Sequence, residues 1–522
     1  MVFLTGKALQ TQITIAAGSG FLLFGFDQGV MSGMLTGDAF TRTFPEIDTS
    51  DNANGSANLQ GLVVSIYEIG CLFGALICLF WGEQLGRRWS IMIGCVVLSV
   101  GAVLQASAYG IPQMIIGRIV AGLGNGMNTS TIPVWHSELM KPKSRGKGLA
   151  IELAINIFGV ALSYWTNYGM SFVANDAQFR FPLALQILFA IMTFLTIAFV
   201  VPESPRWLIA HDRHDEARKI LWAVETDAKT LDPNGSRINQ YMREIQDAVR
   251  EEREASQAGS YKMLLHDGPQ RLRYRTLLGI GGQFMQQISG INLITYYAPV
   301  IMQKSVGLER NLSLLLAGFN GIAYFLTSLI PIWIIDRVGR RNLMLFAAAG
   351  QCACMAILSG TVADGGKSAG IVAVVMLFLF NGFFSVGLLA IPWLLPAEYA
   401  PLTIRTRAAA LATASNWLFT FVVVKVTPVS IQDVGHHTYT YFSVFNFAFL
   451  PLIWFFYPET KNLTLEQIDR LFTGDKVLMH WQSSMGVPGE VEVSDHDKDY
   501  EAGAPEQVMH VQGDEKTVEK GA

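Results

Sequence analysis

The chain of 522 residues carries 38 basic and 42 acidic residues, a formal charge of −4, and is 51% hydrophobic with only 15% charged residues. Near-balanced charge excludes an electrostatic nucleic-acid binder, and charges confined to short stretches between apolar runs exclude an ordinary soluble protein. The composition is that of an all-α polytopic membrane protein.

Apolar stretches long enough to cross a hydrocarbon core, about 20 residues each, lie near 12–36, 60–81, 90–108, 111–134, 148–172 and 181–201, then near 276–304, 312–335, 342–362, 369–396, 407–430 and 439–457. The first run is too long for a cleaved signal peptide and no small-residue cleavage site follows it, so it is expected to persist as a helix. It carries Asp27 in Gly18–Gly29, where a bare charge costs about 3 kcal/mol relative to water. Such an acid reads as a proton site or a substrate contact lining a cavity, or as a structural partner for a neighbouring helix. Glu68 is a second intramembrane acid, placed equally well in a proton route or in a structural hydrogen bond. Lys425 is expected to snorkel outward. The five cysteines, Cys71, Cys78, Cys95, Cys352 and Cys354, all fall in apolar segments and read as small packing residues.

Between the two sets of six runs, residues 202–275 are polar, with helical charge patterning such as Asp212–Lys219, and read as a small amphipathic helical domain. The remaining divisions are an N-terminus over 1–11, six-helix bundles over 12–201 and 276–457, and a tail over 458–522. The acidic tail is expected to be disordered after about residue 474. Arg87, Arg88, Lys141, Lys143, Arg145, Lys147, Arg337, Arg340, Arg341, Arg405 and Arg407 sit at even-to-odd connections, which puts those loops, both termini, the linker and the tail in the cytoplasm. The opposite loop near 37–59 is acidic and holds a glycosylation sequon at Asn54.

The halves repeat one another. Glu83–Arg88 (Glu-Gln-Leu-Gly-Arg-Arg) matches Asp336–Arg341 (Asp-Arg-Val-Gly-Arg-Arg), Glu138 and Arg145 share the spacing of Glu398 and Arg405, and Pro202-Glu203-Ser204 matches Pro458-Glu459-Thr460. Repeated six-helix halves place a substrate site between them near the midplane and imply alternating access.

At these residues the chain resembles the sugar porter family of the major facilitator superfamily over roughly residues 12–472. The motifs are Gly117-Arg118 with Gly122, Gly124 and Gly126; Pro133, Glu138 and Arg145-Gly146; Pro202–Leu208; Gln286–Asn292; and Pro458–Lys461. Trp135–Glu138 and Ser163–Trp165 are most similar to the fungal branch that contains the glycerol–proton symporter. The resemblance implies the major facilitator fold, 12 transmembrane helices in two six-helix repeats, acting as a monomer in the plasma membrane of a fungal-type cell. It implies that Asp27 and Arg118 couple a proton, and that Gln286, Gln287, Asn292, Trp393 and Asn416 hold a small neutral sugar or polyol. Amides suit that task because they both donate and accept, matching hydroxyls without the desolvation cost of ions. The cytoplasmic gate implied by the family comprises Glu83, Arg87, Arg88, Glu138, Arg145, Asp336, Arg340, Arg341, Glu398 and Arg405, with Glu203 and Glu459. Two positions depart from the hexose-carrier pattern: Leu153 stands where many members have a glutamine, with Glu152 beside it, and Tyr324 stands where many have an asparagine. A facilitative uniporter and a transport-inactive sugar sensor remain alternatives to proton symport. With no nucleotide-binding loop, metal-ligand cluster or nucleophile–base constellation, an enzyme is not expected, and no cofactor or metal is implied.

Overall fold

The computed structural model describes residues 4–50, 54–140, 145–258, 261–265, 268, 270–401, 403–461, 463, 467–468 and 471–472, with the side chains of 145–147, 252, 255–258 and 261–262 outside that description. The side chains of Arg145 and Lys147, all of Lys141 and Lys143, and the tail beyond residue 474 therefore lie outside the described residues. The first half comprises α1 (Lys7–Met34), α2 (Ala57–Leu85), α3 (Arg87–Ala106), α4 (Ile111–Leu139), α5 (Arg145–Met170) and α6 (Ala177–Phe199). The second comprises α7, broken into α7a (Leu272–Gln286) and α7b (Asn292–Lys304); α8, bent by 44° between α8a (Arg310–Ser328) and α8b (Pro331–Val338); α9 (Arg340–Asp364); α10, as α10a (Lys367–Gly387) and α10b (Ile391–Tyr399); α11 (Arg405–Val434); and α12 (His437–Phe456).

Among the described residues, nine helices are long and apolar enough to cross a membrane, ten when the bent α8 is one span. Of the remaining two of the twelve, α4 carries Arg118, Asn125 and Asn128, and α7 is broken into helices of 15 and 13 residues at its Gln-Gln and Asn. Polar residues inside a span are costly and concentrate where a site is built.

The sequence repeat reappears as packing. The first helix of each half lies against the fifth, and the third against the fourth and sixth; the halves then meet through α2 on α11 and α5 on α8a. Close contact between α2 and α4 depends on glycine: a Cβ at Gly122 would stand 2.1 Å from Tyr67 O, and one at Gly126 2.1 Å from Cys71 O. Bringing the two backbones together replaces the missing hydrophobic drive between helices in lipid with van der Waals contact. Residues after α6 form helices Pro205–Ala210, His214–Val224 and Ser236–Ala258. They dock on the start of α1, where Gly6 N donates to Ala223 O (2.8 Å) and Gln10 Nε2 to Val224 O (2.8 Å).

The end of the bundle that carries the paired Gly-Arg-Arg motifs, here the basic end, has matching helix caps. Glu203 accepts from Arg87 N (3.2 Å), Arg88 N (3.1 Å) and Ser204 N (2.9 Å), and Glu459 accepts from Arg340 N (2.9 Å), Arg341 N (3.1 Å) and Thr460 N (3.0 Å). Each carboxylate satisfies the orphan amides at the start of the third helix of its half and complements that helix dipole. Burial pushes the Glu203 carboxyl above its ordinary range, while the N–H bonds from Ser204 and Arg88 and the two arginine charges pull it back. Replacing Glu459 with Ala is expected to lower stability by about 1–3 kcal/mol, with Glu459→Gln costing less because the amide oxygen still accepts. Thermal melts in detergent check the order; equal melts for wild type and Glu459→Ala would remove the cap from the account.

Candidate functional site

The central cavity is built where α7 breaks. Residues Gln287–Ile291 form a π-type turn, with Gly290 at φ 101°, a conformation that only glycine adopts without strain. A Cβ there would also press on Phe442 and Met355 at 3.0 and 3.1 Å. π-turns inside helices mark functional sites because they aim side chains that a regular helix would not. Here the turn places Gln286, Gln287 and Asn292 together on a cavity of about 180 Å³.

All five residues expected to hold substrate line that cavity: Gln286, Gln287, Asn292, Trp393 and Asn416. Their amides form one chain. Asn292 Nδ2 donates to Gln287 Oε1 (2.5 Å), Gln287 Nε2 to Gln286 Oε1 (3.2 Å), and Asn416 Nδ2 to Gln286 Oε1 (3.1 Å). Gln286 Nε2 in turn holds Leu388 O (2.7 Å) and Leu389 O (2.9 Å) at the break in α10. Gln283, absent from the sequence-based set, anchors the chain from behind by accepting from Asn416 (2.7 Å) and donating to Pro392 O (3.0 Å). It sits one turn before Gln287, a periodicity that marks it in the sequence.

The opposite wall comes from the first half: Phe24 and Gln28 of α1, Thr129 of α4, and Leu153 and Asn156 of α5. Sequence reasoning missed Gln28, Thr129 and Asn156, although an amide in an apolar helix is itself a signal. Leu153 and Tyr324, the two departures from the hexose-carrier pattern, both face the cavity. Glu152 does not. It turns away and bonds His136 of α4, both side chains buried.

Asp27 is fully buried and is not among the residues that line this cavity. It faces Arg118, with Nη1 3.6 Å from Oδ1 and both side chains fully enclosed. Arg118 is fixed independently of Asp27: Nη2 donates to Val64 O (2.8 Å), and the guanidinium stacks over the Tyr67 ring at 4.7 Å. The neighbouring acid Glu68 accepts a hydrogen bond from Tyr296 of α7b, in the other half.

Away from the basic end, further polar contacts join the halves. Lys304 Nζ reaches Thr49 O (2.6 Å), Arg310 pairs with Asp38 (3.2 Å), Tyr164 donates to Thr295 O (2.5 Å), and Lys425, to which the sequence assigned only snorkelling, donates to Asn58 O (2.5 Å). At the basic end, Arg87 pairs with Glu138 (3.1 Å), and Arg340 pairs with Asp336 (3.0 Å) and Glu398 (3.4 Å). Arg88 and Arg341 spend their guanidiniums on carbonyls, of Ile197 and Ala198 (3.0 and 2.8 Å) and of Trp454 (2.5 Å). Arg405 Nε caps Ala400 O (3.1 Å), and the exposed Glu83 gives its carbonyl to Trp207 Nε1 (2.6 Å). The pairs observed each join helices of one half.

Two repeated six-helix halves around a buried, amide-lined cavity at a broken helix define a transporter of the major facilitator fold. The Sugar (and other) transporter family matches residues 12–472, and the chain belongs to that family. Among its relatives, the MFS-type transporter oryC of Aspergillus oryzae is 40% identical over 481 residues, covering 91% of this chain and 88% of the relative. The sugar transporter STL1 of Saccharomyces cerevisiae is 38% identical over 474 residues, covering 90% and 82%. Among solved structures, the proton:xylose symporter XylE bound to 6-bromo-6-deoxy-D-glucose superposes with a TM-score of 0.74 at 25% identity, over 90% of this chain and 100% of that one.

The amide chain separates binding from stability. Asn292→Ala removes one terminal bond, about 1.4 kcal/mol, and is expected to raise the apparent KM for transport about tenfold with little change in thermal stability. Gln286→Ala orphans two carbonyls and the Gln287 amide and is expected both to raise the KM and to lower thermal stability. Uptake kinetics beside a melting curve distinguish them; a matched loss of stability in both variants would mean that Asn292 is packing.

Proposed function

We propose that the chain carries a small neutral sugar or polyol, together with a proton, into the cell across the plasma membrane by alternating access. The observation that carries this reading is the Asp27–Arg118 pair sealed in the helix interior, one residue from a cavity of neutral amides. The cavity suits an uncharged polyhydroxyl ligand. The charge is kept where a proton, and not the substrate, meets it.

The two sites communicate through a single helix. Asp27 faces the interior of the first half, and the next residue, Gln28, faces the cavity. Arg118 is anchored by Val64 and Tyr67, so neutralising Asp27 releases α1 while the guanidinium stays attached to α2. A proton thereby loosens the helix that carries one wall of the substrate site. The driving force is sufficient: about 2.3 kcal/mol per 100 mV and about 1.4 kcal/mol per pH unit sum to roughly 3.7 kcal/mol, several hundredfold in accumulation.

The basic end is assigned to the cytoplasm by its arginines, with both termini and the linker on that side and the Arg87–Glu138 and Arg340–Glu398 pairs as parts of the gate there. Asn54 is exposed on the opposite side, in reach of glycosylation. The Saccharomyces relative named a sugar transporter and the proton:xylose symporter XylE support a sugar carrier coupled to protons; one proton per substrate and action as a monomer in a fungal-type cell belong to the same proposal. Leu153 and Tyr324 in place of two polar contacts favour a smaller ligand, a polyol or pentose, over a hexose.

Transporter-deficient cells expressing the chain are screened for substrate-triggered pH change with glucose, xylose, arabinose, galactose, lactose and glycerol. Alkalinisation of the medium with one compound is the expected result, whereas labelled uptake without it would establish a facilitator. Asp27→Asn is expected to abolish accumulation and the pH response while retaining counterflow exchange. Equal loss of exchange and accumulation would sink the proton role.

A further inference from the structure

Glu68 is not used by the coupling described so far, yet it lies between its parts. Val64, Tyr67 and Glu68 occupy i, i+3 and i+4 of α2, one face of the helix. That face holds Arg118 by the Val64 carbonyl and the Tyr67 ring. From the same face the Glu68 carboxylate accepts the Tyr296 hydroxyl across the boundary between the halves. Glu68 and Tyr296 are both fully enclosed, and among the described residues the second carboxylate oxygen of Glu68 has no hydrogen-bond partner, nor have Arg118 Nη1 and Nε. Tyr296 adjoins Thr295, which lines the cavity and accepts from Tyr164 of the first half. The groups that act electrostatically on Glu68 are Arg118 from α4 and Asp27 from α1, while on its own helix Cys71 feels its charge and Tyr67 stands beside it.

We propose that Glu68 is the positioning residue that links the proton site to α7b: it competes with Asp27 for Arg118 and, while free of Arg118, latches α7b to the first half through Tyr296. This rests on the symport reading above. With Asp27 ionised, Arg118 is held toward it, and one Glu68 oxygen is left to Tyr296, closing the halves away from the basic end. When Asp27 takes a proton, Arg118 loses its counter-charge. Glu68 is the other carboxylate within its field among the described residues, and one of its oxygens has no hydrogen-bond partner there. Turning the guanidinium toward Glu68 weakens the tyrosine bond and frees α7b from α2, opening the cavity on the side from which the proton arrived. A buried unpaired guanidinium is costly, and that cost is what drives the switch.

The test needs no substrate. Hydrogen–deuterium exchange of backbone amides in Asn292–Lys304 is followed in the purified full chain at pH 5 and pH 7.5, for wild type, Asp27→Asn, Glu68→Gln, Tyr296→Phe and the double variant Asp27→Asn/Glu68→Gln. Exchange rates are first corrected for the intrinsic pH dependence using an unstructured peptide. Asp27→Asn, Glu68→Gln and Tyr296→Phe are each expected to speed exchange in that segment by about tenfold and to remove its residual pH dependence. The double variant should go no further than either single variant, because both act on one latch. Additive effects of Asp27→Asn and Glu68→Gln, or a response to Glu68→Gln and Tyr296→Phe with none to Asp27→Asn, would make Glu68 a structural bond and overturn the proposal. Should Glu68→Gln fail to fold, Tyr296→Phe with Asp27→Asn/Tyr296→Phe decides the same question. Failure of the symport reading shows elsewhere, as uptake without a pH response, and leaves the exchange result to stand for the latch alone.

Discussion

An ion pair with no access to water constrains this molecule more than any other contact. A carboxylate and a guanidinium fully enclosed among helices are tolerable only while they face each other, because either charge alone in so apolar a setting costs several kcal/mol. The surroundings are arranged for that condition. Glycines let α2 and α4 touch backbone to backbone, so that Arg118 reaches both the Val64 carbonyl and Asp27. The polar contacts among the cavity amides are neutral, so the charge of the pair stays apart from them.

The same economy governs the rest of the bundle. Polar groups cluster at breaks: the π-turn in α7, the interruption of α10 where Gln286 collects two carbonyls, and the helix starts at Arg87 and Arg340 capped by Glu203 and Glu459. In lipid, a broken backbone must find its hydrogen bonds within the protein. Each break is therefore also a place where two helices are tied. The halves repeat this plan, one carboxylate per half at the same station, and a pseudo-twofold arrangement is the geometry that lets one half rock against the other.

Much of this is legible in the residues. Apolar run lengths give the spans, with boundaries within a few residues, and the paired motifs at Glu83 and Asp336 give the repeat. The second-half wall of the cavity is readable because Gln-Gln-Ile-Ser-Gly-Ile-Asn packs its polar atoms into one short stretch. The first-half wall is harder to read, because Gln28, Thr129 and Asn156 come from three separate helices and share them with other polar residues, and which of these faces the cavity is set by rotation of each helix against its neighbours. Glu152 and Leu153 make the point: one residue apart, about 100° around the helix, one meets His136 and the other the cavity. Contacts between halves, such as Tyr296 with Glu68, join residues 228 apart and leave no local pattern at all.

The amide chain at the cavity has a kinetic meaning. Asn292, Gln287, Gln286, Asn416 and Gln283 already satisfy one another, so any polar group entering the cavity would trade one hydrogen bond for another of similar strength. Such exchange contributes little net free energy for each contact. Recognition then comes from the number and angle of bonds that can be swapped together, and the depth of the well stays shallow. A carrier must let its cargo go on every cycle, and a binding site that can close its own hydrogen bonds behind a departing molecule makes release nearly as easy as capture.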